Sequence, residues 1–136
     1  MRLSFYALGL ISLVSACTSS SDFVAGQGSS TITVKNYKYQ DVYNGVLKSI
    51  RSVDSNGTDI GNSLSVSRSD IKTGRIEANS PPNLFSYGEV VAVFIVPPKD
   101  SESYRIEVQS APALATNVMA NNWEEEVLQE IRKNLP

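Results

Sequence analysis

The side chains able to do chemistry are few. There is one cysteine, Cys17, and no histidine in the 136 residues. Without an imidazole there is no Ser-His-Asp or Cys-His nucleophile relay, and the commonest transition-metal ligand is missing. A single thiol permits no internal disulfide and no multi-cysteine zinc site. The acids remain. Glu89, at the start of the most apolar stretch, is the carboxylate best placed for acid–base work, as in the carboxylate pairs of glycoside hydrolysis. Asp54, Asp59 and Asp70 could supply oxygen ligands, but their spacing does not fit a calcium loop and suits turns better. Glu124, Glu125 and Glu126 open a helical stretch, where acids stabilise the positive end of the helix dipole. Ser65, Ser67 and Ser69 alternate with apolar positions and have no base to activate them. Tyr37, Tyr39 and Tyr43 cluster beside a helix start, as an aromatic patch for a partner or as packing residues. The sequence therefore predicts no catalytic residue, no metal site and no cofactor, and a non-enzymatic protein.

Around Cys17 the pattern is more informative. Arg2 precedes an apolar run from Leu3 to about Val14, too short for a spanning helix of roughly 20 residues. The run ends in Leu13-Val14-Ser15-Ala16-Cys17, with small residues before the cysteine. This resembles a bacterial lipoprotein signal peptide with its lipobox. The resemblance implies cleavage before Cys17 and lipidation, such as palmitate, at that residue, hence a membrane anchor facing the periplasm. Thr18 and Ser19 follow, with no Asp at the sorting position, which by the same resemblance implies the outer membrane.

Three segments are expected: a signal peptide at 1–16, a lipidated cysteine with a flexible tether at 17–30, and a single globular domain at 31–136. The tether reading rests on the polar, glycine-containing sequence from Thr18 to Ser30. Without residues 1–16 the chain has 11 basic and 14 acidic residues, a net charge of −3. That balance is too mild to favour nucleic acid.

In the domain, Thr31 to Lys35 alternates as a strand. Val42, Val46, Ile50 and Val53 fall on one helical face, predicting a helix over about 40–52. Gly45 lies inside it, for which close packing on a sheet is the expected reason. Leu64 to Arg68 and Arg75 to Ala78 read as strands joined through Asp70 and Gly74. Glu89 to Val96 reads as the best-buried strand. Tyr104 to Val108 reads as the last. Asn122 is an N-cap for a terminal helix, with Glu125 at the capping-box position. The expected class is α+β: an antiparallel sheet of four to five strands with two amphipathic helices on one face, in β-α-β-β-β-β-α order. The short alternating strands imply that the other face is wet.

Tyr43-x-x-Val46-Leu47-x-x-Ile50 followed by Ser69-Asp70-x-x-x-Gly74-x-Ile76 is similar to the helix-grip repeats of the lipoprotein C subunit of the β-barrel assembly machinery, and to other small envelope lipoproteins. That likeness covers roughly 39–108 and implies a fold. The functional expectation is a non-catalytic periplasmic lipoprotein that binds or scaffolds an envelope protein. The alternative is a carrier or sensor of a small apolar ligand between helix and sheet.

Overall fold

The computed structural model describes residues 17–53, 63–82, 87–97, 103–114 and 122–136. The expected signal segment, Asp54 and Asp59 lie outside them. The described chain contains β1 (Ser30–Lys35), α1 (Tyr39–Ser52), β2 (Ser65–Asp70), β3 (Arg75–Asn79), β4 (Glu89–Val96), β5 (Ser103–Pro112) and α2 (Trp123–Asn134). The five strands form one antiparallel sheet in the order β1-β5-β4-β3-β2. The fold is thus the α+β arrangement that the periodicities predict.

Strand geometry sends alternate side chains to opposite faces. On the helix side, Ile76, Val93 and Val108 lie in one cross-strand row, and Ile95, Ile106 and Ile32 in another. These join Val42, Val46 and Ile50 from α1 and Trp123, Val127 and Ile131 from α2 in the core. The two helices pack on each other, with α2 over β1 and β5 and α1 against β2. Gly74 closes the β2–β3 turn at φ +67°, where a side chain would be strained and would run into the Ile95 carbonyl.

Two local expectations change. Asn122 does cap α2, accepting from the Glu124 N–H at 3.0 Å, but Glu125 turns outward to Arg132 and Gln129 and closes no capping box. Gly45 is small because of the other helix, not the sheet: a Cβ there would stand 2.8 Å from Leu135. The atoms it would meet are the outer carbons of the Leu135 side chain, which can yield to one methyl group. Gly45→Ala should therefore be near neutral, its clash offset by about 1 kcal/mol of helix propensity. Gly45→Val should destabilise by about 1–3 kcal/mol. Thermal melts of the two variants check this contrast.

Candidate functional site

The outer face of the sheet is not wet at its centre. Val90, Ala92 and Phe94 of β4 point away from the helices, yet all three are buried. Beside them lie Arg75 and Glu77 of β3 and Glu107 and Gln109 of β5. The registers set Arg75, Phe94 and Glu107 in one row and Glu77, Ala92 and Gln109 in the next. The cover is residues 17–29, the segment expected to hang free as a tether. It runs across this face as a strap.

Each polar side chain of the two rows holds the strap. Glu107, 0% exposed, accepts from the Gly26 N–H at 2.8 Å and the Gly28 N–H at 2.6 Å. Gln109 donates to Glu107 at 2.6 Å and to the Val24 carbonyl at 2.7 Å. Arg105 approaches Glu107 at 3.7 Å. Arg75 donates to the carbonyls of Ser20 and Phe23, and to Glu77 at 2.6 Å. Its guanidinium stands 5.0 Å from the centre of the Phe94 ring. The Ser20 hydroxyl donates to Glu77 at 2.8 Å. Buried polar groups require such partners, and here the strap's backbone supplies them. Ser19 and Asp22 reciprocally cap a short 3-10 turn, Ser20–Asp22, that shapes its first half. Glycine at 28 is required by proximity, because a Cβ would fall 2.7 Å from Gln109 Cγ and 2.8 Å from Glu107 Oε1.

Burial raises the Glu77 carboxyl pKa, but the Ser20 hydroxyl and Arg75 outweigh it, and the net shift is downward from 4.5. A lowered folded pKa stabilises the protein above the ordinary carboxylate range, and that contribution disappears as pH falls through the folded value. Asp70 is also lowered, first by the Lys72 backbone N–H, and Glu125 by Arg132. Glu126 is raised by burial and acts in the opposite sense. Glu77→Gln should therefore shallow the loss of stability below about pH 4.5 without abolishing it. Urea titrations at pH 3 to 7 measure that slope.

The sequence-predicted candidates are dispersed. Cys17 is exposed and forms an isolated antiparallel bridge with Leu114, two residues beyond β5. The Tyr39 ring packs with those of Tyr43, at 6.4 Å, and Tyr104, at 5.8 Å. Tyr43 is buried, the Tyr39 hydroxyl donates to the Ile71 carbonyl at 2.6 Å, and the Tyr37 hydroxyl donates to Pro136 at 2.9 Å. Burial, with Tyr43 and Asp70 nearby, raises the Tyr39 pKa. Glu89 is buried on the helix side. It accepts from the Ser80 hydroxyl and from Trp123 Nε1 at 3.2 Å, and its own N–H donates to Ser80 Oγ. It joins β3, β4 and α2. Glu124 bridges α2 to the sheet, accepting from the Ser30 hydroxyl and the Ser110 N–H. Asp70 makes a turn, accepting from the Lys72 N–H at 2.9 Å. Among the described residues no group of three or more acids or cysteines could hold a metal ion.

A groove of about 490 Å³ opens between the strap and the β2–β3 hairpin. Phe23, Val24, Arg68, Asp70, Arg75 and Phe94 contribute to its walls. It lies on the face away from the helices, not between helix and sheet. Sequence reasoning missed this face. The available signal was β4 itself: eight residues apolar on both sides except for Glu89 require a cover on each face, and the helices supply only one.

The architecture defines a two-layer α+β domain whose second sheet face is closed by its own N-terminal segment. No protein-family model matches the chain, and no curated protein matches it in sequence.

Proposed function

We propose that this chain is a non-catalytic lipoprotein of a bacterial cell envelope, acylated at Cys17 and held to the outer membrane on its periplasmic side. Its domain binds an envelope protein. The observation that carries the anchor is the Leu13 to Cys17 pattern ending on the sole cysteine, whose side chain is exposed where a lipid can be attached. The binding surface best supported is the groove beside the strap. It combines an apolar floor at Phe94 with the exposed side chains of Val24 and Arg68. The tyrosine trio is less suited, because two of its hydroxyls are engaged and Tyr43 is in the core.

The test is affinity capture of the full chain from crosslinked envelopes, beside a Val24→Asp variant. Only the Val24 carbonyl is used in holding the strap, so that substitution leaves the fold intact. A specific partner captured by the wild type and lost with Val24→Asp is the expected result. Recovery of no specific partner under any growth condition would count against the binding role. A partner retained by Val24→Asp would move the interface off the groove.

A further inference from the structure

We propose that the strap makes one end of the sheet a membrane-facing surface, so that the domain rests on lipid headgroups around Cys17, Tyr87 and Leu114 and does not swing from a loose tether. This rests on the acylation of Cys17 proposed above.

The first support is the position of the anchor residue. Cys17 forms an antiparallel bridge with Leu114. The Thr18 N–H donates to the Ala113 carbonyl at 3.1 Å, and the Ala113 N–H donates to the Gly88 carbonyl at 2.9 Å. The residue that would carry lipid is thus fixed within about one strand spacing, 4.7–4.9 Å, of the sheet. Thirteen free residues would instead span roughly 20 Å. The strap is held along its length by Arg75, Gln109 and Glu107, so little slack remains between lipid and domain.

The second support is the chemistry of that end. Tyr87, one residue before Gly88, is 67% exposed and is one of two exposed large hydrophobic residues among those described. A tyrosine, with an apolar ring and a polar tip, suits the headgroup level of a bilayer. The neighbouring residues 79–82, 87–88, 111–114 and 17–19 include no charged side chain. Contact of these residues with headgroups strips no charge of its water; the acids beside them are Asp22, bonded to the Ser19 N–H, and Glu124 to Glu126 in the first turn of α2. The opposite end, where β1 stops and β2 turns into β3, carries Lys35, Lys38, Asp70 and Lys72.

The experiment uses the mature, acylated chain in vesicles of phosphatidylethanolamine and phosphatidylglycerol. The Cys17 sulfur is then a thioether, so an introduced cysteine is the single free thiol for a nitroxide label. Pro82→Cys places it near Gly88 and leaves Tyr87 and Leu114 in place. Lys35→Cys places it at the other end of the sheet, about 30 Å away along β5. Power-saturation measurements compare collision with oxygen and with a water-soluble nickel chelate. The expected result is an oxygen-to-nickel ratio several-fold higher at 82 than at 35, with the difference erased by Gly28→Val, which dislodges the strap. Equal, water-like ratios at both positions on vesicle-bound protein would overturn this proposal alone. Failure of the chain to stay on vesicles, with Cys17 open to the thiol label, would overturn the acylation reading and this proposal with it.

Discussion

Gly28→Val lowers the stability of the domain by about 3 kcal/mol, the range of severe single substitutions. Any side chain at 28 collides with Gln109 and with the Glu107 oxygen that accepts the Gly28 N–H. The strap cannot move aside and keep that bond. Hydrogen bonds to a charged group contribute about 1.5–3 kcal/mol each, and Glu107 accepts two from the strap backbone. Re-exposing Phe94 costs about 1.5–3 kcal/mol more. Freed backbone entropy offsets part of the sum. Gly28→Ala should act in the same direction and less strongly. Urea denaturation gives the stability, and chymotrypsin digestion locates the change, since Phe23 lies in the strap. The expected outcome is a lower midpoint with early cleavage after Phe23. An unchanged midpoint with Phe23 still protected would mean that the strap does not hold the sheet.

The helices and sheet were legible because their signals are local. The stripe at Val42, Val46, Ile50 and Val53 specifies α1. The apolar run Glu89–Val96 coincides with β4, and Gly74 marks the hairpin turn. The strap was not legible for the opposite reason. Serine and glycine between 18 and 30 read as a solvated tether, since no hydrophobic period orders them. The order comes from partners 79, 81 and 85 residues away in sequence, at Glu107 and Gln109, beyond any local window. The same cause hid the outer site. Arg105, Glu107 and Gln109 alternate with Ile106 and Val108 as a half-wet strand would, and only the strap buries Glu107 and Gln109. Gly45 was singled out correctly, but whether a helix or a sheet approaches it depends on where Leu135 comes to lie.

Cys17→Ser removes the one thiol in the chain. On the proposed reading it abolishes acylation altogether, an all-or-none effect on membrane attachment. One acyl chain holds a protein marginally and several hold it firmly, so loss of the attachment site should release the domain or leave it tethered by an uncleaved apolar segment. The fold should persist, because the Cys17 side chain is exposed and the backbone bond from Thr18 to Ala113 does not depend on it. Circular dichroism of the variant should match that of the wild type. The most direct measurement is metabolic labelling with a palmitate analogue, wild type beside Cys17→Ser. The account predicts label on the wild type and none on the variant; equal label on both, or label on neither, would contradict it.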